Sequence, residues 1–119
     1  MARAGGSGDF GSKLQDWVET ISDRSGVPLN QTAGSGNVFV SDSDLGNRLM
    51  QIECKGKTSK DGVSMPAKAD WKKLIKEADG ASRMPMLITS GNKMMMRDAL
   101  VTLHYRDLLY LMQGVKDEL

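Results

Sequence analysis

The stretch Leu49-Met-Gln-Ile-Glu-Cys-Lys-Gly-Lys57 carries the pattern on which the predicted fold rests. Its apolar residues predict a largely buried strand, interrupted by Glu53 and Lys55. Because successive side chains of a strand point to opposite faces, Glu53 and Lys55 should share one face. Ile52 and Cys54 should point the other way, into a core. A carboxylate and an ammonium are costly to remove from water unless they pair or hold a ligand, so this pair is a candidate functional site.

The composition is that of an ordinary globular protein. The chain has 119 residues, 39% of them hydrophobic and 26% charged, which predicts one compact domain with a modest core. A net charge of +1 means that a nucleic-acid role would need a local basic patch. The single cysteine, Cys54, excludes an internal disulfide, and with His104 as the only histidine a structural zinc site is disfavoured. No membrane-span or signal-peptide pattern is present, so we expect a cytoplasmic protein without a membrane partner.

Hydrophobic periodicity predicts helices and short strands in alternation. Residues 1–8 are glycine-rich and are predicted to be a flexible N-terminal tail, and residues 9–119 a single domain. The expected helices are Asp9 to Arg24, Ala67 to Ala78 and His104 to Gln113. The other expected strands are Val38 to Val40, Met84 to Thr89 and Leu100 to Leu103. This order predicts an α/β or α+β domain with a central mixed sheet flanked by helices.

A turn signal precedes the Leu49–Lys57 strand. Gly46-Asn47 separates it from Val38 to Val40, which favours an antiparallel hairpin. In that hairpin Asp44 would begin or end the partner strand, near Glu53 and Lys55.

Asp44, Glu53 and Lys55 form a set that suits phosphodiester hydrolysis. Two carboxylates can hold Mg²⁺, a cation that prefers oxygen ligands. The metal can lower the pKa of a bound water and stabilise charge on a phosphate. An ammonium two residues beyond the glutamate can orient that water or neutralise a developing oxyanion. The alternative interpretation of a Glu-x-Lys triplet is a plain salt bridge at a strand end, which needs no ligand.

With these residues the chain resembles the PD-(D/E)XK nuclease superfamily. Within it, the chain is similar to the small Holliday-junction-resolvase-like endonucleases of archaea and phages. The matching features are Gly11, Gly34-Ser35-Gly36, Asp44-Leu45, Ile52-Glu53-Cys54-Lys55, the helix from Ala67 to Ala78, Pro85 to Ile88, and Leu100 to Leu103. The resemblance covers about Asp9 to Met112. It implies a restriction-endonuclease-like core.

The resemblance also implies the roles of individual residues. Asp44 and Glu53 would be metal ligands and Lys55 the catalytic lysine, with Mg²⁺ as the cofactor and Mn²⁺ as a possible substitute. Asp42 competes with Asp44 as the upstream acid. We favour Asp44, because the aliphatic Leu45 follows it.

The resemblance also points to three auxiliary positions, Gln15, Glu19 and Ser35. Family members often carry a glutamate four residues after the helix glycine, where this chain has Gln15. An amide can bind a metal or a water through its oxygen but contributes no negative charge. Glu19, one turn on, could replace it if the helix is rotated or shifted. Ser35 matches a serine that the family uses near the junction backbone, and a plain loop residue is the alternative.

The expected partner is duplex or branched DNA. Five lysines close to the proposed site in sequence are expected to bind phosphates: Lys57, Lys60, Lys68, Lys72 and Lys73. Aromatic residues make up only 5%, which favours recognition of shape and backbone over base stacking.

We therefore expect a Mg²⁺-dependent endodeoxyribonuclease that cuts branched DNA such as four-way junctions, in DNA recombination. Because two symmetric cuts need two active sites, we also expect a homodimer. The main alternative is a non-catalytic nucleic-acid-binding or assembly protein on the same scaffold. A third possibility is an interaction module that uses a methionine-rich surface, since the chain has nine methionines.

Overall fold

Three helices flank one mixed sheet in the computed structural model, which describes residues 7–31 and 45–118. The helices are α1 (Ser7–Arg24), α2 (Lys68–Ala81) and α3 (Tyr105–Met112). The strands are β1 (Asn30–Gln31), β2 (Leu45–Gly46), β3 (Met50–Lys57), β4 (Met84–Gly91) and β5 (Leu100–Thr102). Two 3-10 segments, Met96–Asp98 and Gln113–Glu118, complete the description. The predicted α+β architecture is thus confirmed.

The sheet is built around one parallel pair of strands. Its strands lie in the order β1-β2-β3-β4-β5, and β3 and β4 run parallel from Met50 beside Met84 to Lys57 beside Gly91. The other neighbours are antiparallel. A parallel connection has to cross over the sheet, and α2 makes that crossover.

The two faces of β3 are covered by different helices. Leu14 and Val18 of α1 form one buried cluster with Ile52 and Cys54, as the alternation of the strand predicts. The opposite face of the sheet carries Leu87 and packs against α2, whose Leu74 and Ala78 are also buried. Both faces are therefore dry at the centre of the sheet. None of the helices in the described ranges is long and apolar enough to cross a membrane.

The ends of α1 and α2 differ from the sequence prediction. α1 begins two residues before Asp9, at Ser7, and so includes the last two residues of the segment predicted to be a tail. α2 continues past its predicted end at Ala78, through Asp79 and Gly80, and ends at Ala81. The cause is Ser82, which has a φ of 56° and donates its N–H to the carbonyls of Ala78 and Asp79. A left-handed residue after the last turn is a common way to close a helix, and here it is a serine instead of the expected glycine.

The predicted hairpin exists, and its turn is shifted by about one residue. β2 pairs antiparallel with β3, with Leu45 opposite Ile52 and Gly46 opposite Gln51. Asn47 makes the turn, since its Oδ1 accepts hydrogen bonds from the N–H groups of Leu49 at 2.9 Å and Met50 at 2.8 Å. The prediction that the strand begins at Leu49 is wrong, because Leu49 lies in this turn and is 40% exposed.

Asn30–Gln31 pairs with β2 as a two-residue edge strand. The expected strand from Val38 to Val40 lies outside the described residues, as does Asp44.

Candidate functional site

Glu53 and Lys55 form an ion pair on the face of β3 that α2 covers. The distance from Lys55 Nζ to Glu53 Oε2 is 3.4 Å. Glu53 is 9% exposed, whereas 39% of the Lys55 side chain remains accessible. The alternation of side chains along β3 forces the two onto one face, so this part of the prediction is confirmed. A buried carboxylate next to a solvent-reaching ammonium can receive an anionic or cationic group from outside.

The neighbouring strands fix the position of this pair. In the parallel register Leu87 lies beside Glu53 and Thr89 beside Lys55. Leu87 is fully buried, and Thr89 donates its hydroxyl hydrogen to the carbonyl of Ser64 at 3.3 Å. Because Leu87 is buried and the Thr89 hydroxyl is already hydrogen-bonded, these neighbours restrict the motion of the Glu53 and Lys55 side chains. The pair is consequently held by rigid strands and not by a loop.

The remaining predicted acids and the loop serine cannot be placed around the pair. Asp44, Asp42 and Ser35 lie outside the described residues. Leu45, which follows Asp44 in the sequence, is the residue opposite Ile52 in the hairpin. β2 therefore runs directly beside the part of β3 that carries Glu53.

Gln15 and Glu19 lie on α1 and are half-buried. Their helix packs on the Ile52 and Cys54 face, which is opposite to the face that carries Glu53. Both residues have polar or electrostatic contacts in the structure. The helix that carries Gln15 and Glu19 therefore lies on the opposite side of the sheet from the Glu53 side chain.

Sequence analysis missed a buried amide on the same face as Glu53. Gln51 precedes Glu53 by two residues and is 1% exposed. Neither its Nε2 nor its Oε1 has a hydrogen-bond partner among the described residues. A buried polar group without a partner carries a desolvation cost, and such groups are rare in natural proteins. The signal available in the sequence was a polar residue at an alternating position of an otherwise apolar strand.

The predicted basic residues lie at the end of β3 and on the first half of α2. Lys57 Nζ is 3.9 Å from Asp70 Oδ2, which ties the end of β3 to the first turn of α2. Lys68, Lys72 and Lys73 are exposed on this helix. The structure therefore brings the predicted lysines to one end of the sheet, the end at which β3 finishes and α2 begins.

A clamp between two loops extends this basic surface. The Ser59 N–H donates to Asn92 Oδ1 at 3.0 Å, and the Lys93 N–H donates to the Gly62 carbonyl at 3.0 Å. Lys93 Nζ also donates to the carbonyl of Lys60, at 3.2 Å. Lys93 is thereby placed beside Lys60, although 33 positions separate them. Sequence analysis did not select Lys93, because nothing local indicates this contact.

Asp61 lies in the same loop and is committed to the turn. Its Oδ1 accepts hydrogen bonds from the Val63 N–H at 3.1 Å and from the Ser59 hydroxyl at 2.9 Å. These bonds, that of Val63 first, hold the pKa of Asp61 below its ordinary value of 3.8. Asp61 is thus a charged structural residue of the loop.

Of the two predicted metal ligands, Glu53 lies within the described residues and Asp44 does not. Within residues 7–31 and 45–118, no three His, Cys, Asp or Glu side chains lie close enough together to hold a metal ion. The predicted Mg²⁺ site has two carboxylates, so it depends on Asp44, which lies outside the described ranges.

Comparison with known proteins adds no relative: no family model, curated protein or solved structure matches the chain. The likeness to the PD-(D/E)XK nucleases stays a prediction based on motifs. The features that bear on function are the geometry of the Glu53–Lys55 pair and the basic surface next to it.

Proposed function

We propose that this chain is a metal-dependent DNA endonuclease with a restriction-endonuclease-like core, acting on branched DNA as a homodimer. The observation that carries the proposal is the Glu53–Lys55 pair, a buried carboxylate 3.4 Å from an accessible ammonium. The pair lies on a strand of the only parallel pair among the described strands. A basic helix starts at the same end of the sheet, which suits a polyanionic substrate.

In this proposal Asp44 and Glu53 hold the metal. The proposal requires the Asp44 carboxylate to face that of Glu53, one step beyond the observed Leu45–Ile52 pair. Two carboxylates with waters and substrate oxygens are an ordinary Mg²⁺ environment. When bound, Mg²⁺ or Mn²⁺ supplies Lewis-acid stabilisation of the phosphate and a water of lowered pKa.

Lys55 contributes positive charge where the reaction needs it. Hydrolysis forms a bond from a water oxygen to phosphorus and breaks one P–O ester bond, with a proton passing to the leaving oxygen. Negative charge accumulates on the non-bridging oxygens as this happens. An ammonium held beside Glu53 and still 39% accessible can contact one of them, and such fixed charges contribute strongly to catalysis.

The lysines at the end of the sheet bind the DNA backbone. Six lysines would contact phosphates and position the duplex without reading its sequence. They are Lys93, which the structure places beside Lys60, and the predicted Lys57, Lys60, Lys68, Lys72 and Lys73. The chain as a whole has a net charge of only +1. The local concentration of lysines would therefore determine which surface of the protein attracts DNA.

Cleavage assays on four-way, flap and linear duplex DNA test the proposal. With Mg²⁺ or Mn²⁺, we expect Glu53→Gln and Lys55→Met each to lower the cleavage rate roughly a hundredfold or more. Glu118→Gln and Lys76→Met, which change exposed residues of the same charge, should retain wild-type rates. Cleavage by folded Glu53→Gln at the wild-type rate would refute the assignment.

One observation favours a second candidate, a non-catalytic nucleic-acid-binding protein on this scaffold. Gln15 stands where the resemblance expects an acid, and an amide contributes no negative charge to a metal site. Titration with Mn²⁺, followed by tryptophan fluorescence and by calorimetry, separates the two candidates. Salt-dependent DNA binding without metal binding favours the second candidate, whereas metal binding that is lost in Glu53→Gln favours the nuclease.

A further inference from the structure

A buried amide without a partner lies beside Glu53 on β3. Ile52 packs in the cluster formed with α1, so the alternation of the strand turns Gln51 and Glu53 together toward α2. Gln51 is 1% exposed, and neither its Oε1 nor its Nε2 is hydrogen-bonded among the described residues. An amide that is removed from water and left unpaired lowers stability, so its presence at this position needs an explanation.

The strands on either side of β3 give this amide no side-chain partner. Pro85 of β4 lies beside Gln51 in the parallel register, and Gly46 of β2 lies opposite it in the hairpin. Proline and glycine have no polar side-chain atoms. The next polar side chain on the same face of β3 is that of Glu53, two residues along the strand.

The spacing of Gln51 and Glu53 suits one water between their polar ends. Residues two apart on a strand are separated by about 6.6–6.8 Å, which is twice the rise per residue. A water hydrogen-bonded to a group on each side spans roughly 5.5–6 Å, since each bond is about 2.7–3.0 Å long. Gln51 makes no direct hydrogen bond to Glu53. The amide is therefore suited to act on the carboxylate site through a water.

We propose that Gln51 is a positioning residue of the metal site, whose amide accepts a hydrogen bond from a water bound to the metal that Asp44 and Glu53 would hold. This inference rests on the proposed function, because it concerns the same metal. Mg²⁺ keeps several waters when it binds to carboxylates, so such a water is an ordinary part of the site. An amide has one acceptor oxygen and two N–H donors, so Gln51 can hold the water and also donate to a carboxylate oxygen.

This role explains why an amide is buried where an apolar side chain would be more stable. The unfavourable burial of Gln51 is offset when the metal and its waters bind. Gln51 therefore strengthens metal binding at the expense of the stability of the protein alone. Groups that orient the ligands of a metal typically change its affinity by about 10–100-fold when they are removed.

Calorimetric titration with Mn²⁺ tests the role of Gln51. We expect Gln51→Met to raise the Mn²⁺ dissociation constant roughly tenfold or more. Ser90→Ala is the matched control, because it also removes a buried polar atom without a partner among the described residues. Ser90 lies beside Gly56, which alternates onto the Cys54 face of the sheet, so Ser90→Ala should leave the dissociation constant unchanged.

Thermal unfolding with and without Mn²⁺ gives a second measurement. A ligand stabilises a protein more when it binds more tightly. The same concentration of Mn²⁺ should therefore raise the Tm of Gln51→Met less than the Tm of wild type or of Ser90→Ala. Equal Tm increases in all three proteins would show that the amide affects stability alone.

The outcomes separate this inference from the proposed function. Equal Mn²⁺ dissociation constants for wild type and folded Gln51→Met overturn the role of Gln51 and leave the metal site in place. A wild-type chain that binds no Mn²⁺ overturns both.

The amide signals of the wild-type protein provide a test that does not depend on the folding of a variant. The NMR resonances of the Gln51 side-chain NH₂ group should shift when Mg²⁺ is added, because its amide gains a hydrogen bond. Those of Gln113, which is exposed and lies beyond α3, should not shift. Unchanged Gln51 resonances at saturating Mg²⁺ overturn the proposal.

Discussion

Replacing Gln51 by methionine should make the protein more stable. The Gln51 side chain is 1% exposed, and neither polar atom of its amide has a hydrogen-bond partner among the described residues. Methionine has the same unbranched shape and no amide, so the replacement removes the unpaired polar atoms without opening a cavity. The change therefore isolates the cost of burying that amide.

The size of the effect follows from the burial. An unsatisfied buried polar group costs about 1–3 kcal/mol, so the free energy of unfolding should rise by that amount. For a chain of this length about 4 °C accompanies each kcal/mol, which predicts a Tm higher by about 4–12 °C. Since stabilities of small domains are about 5–15 kcal/mol, the change is large enough to measure well.

Urea unfolding followed by tryptophan fluorescence and by circular dichroism provides the measurement. Gln113→Met, at an exposed position, is the matched control and should change the free energy by less than about 0.5 kcal/mol. If Gln51→Met leaves stability unchanged or lowers it, the amide has a partner in solution and the reasoning is wrong. A stability gain accompanied by lost DNA cleavage would show that the amide serves the Glu53 site at the expense of stability.

Further predictions concern two glycines and one carboxylate. Gly91→Ala should lower the free energy of unfolding by more than about 2 kcal/mol, because a Cβ there would overlap the backbone of Gly62 and Ser64. Gly80→Ala, in a helix with open space around it, should raise it by about 0.5–1 kcal/mol, and equal effects of the two in urea unfolding would contradict the packing argument. Titration of the Asp61 carboxyl by NMR should give a pKa below 3.8, since its hydrogen bonds favour the charged form. Because the folded pKa is the lower one, this stabilisation is present above the ordinary pKa and lost as the pH falls through the folded pKa; Asp61→Asn should lack that acid-side dependence.

The parts of the fold that follow from local patterns were predictable. The two-residue period of β3 places Glu53 and Lys55 on one face and Ile52 on the other, whatever surrounds the strand. The turn before β3 was recognisable too, because Asn47 can accept backbone hydrogen bonds with its own side chain. The exact position of this turn was not predictable to within one residue, because both Gly46 and Asn47 suit a turn.

Other features depend on contacts between distant residues. Lys93 reaches Lys60 through a clamp of two loops, and no pattern near either residue encodes it. The end of α2 was misjudged because Gly80 is a usual stop signal, while the chain closes the helix with a left-handed Ser82. The sequence shows an apolar face on α3, formed by Tyr105, Leu108, Leu109 and Met112. Amphipathicity shows only that such a face exists and not what covers it.

The parallel pairing of β3 and β4 has a consequence for the order in which the protein opens. Both strands and the connecting α2 come from one continuous segment, residues 50–91, and eight residue pairs join the two strands. β5 adds only three pairs at one edge and β1 only two at the other. Local unfolding should therefore begin at the edges, and the amides of β3 and β4 should exchange with solvent last. Glu53, Lys55 and the start of the basic helix all belong to this late-opening unit, so the candidate site should persist while the periphery fluctuates.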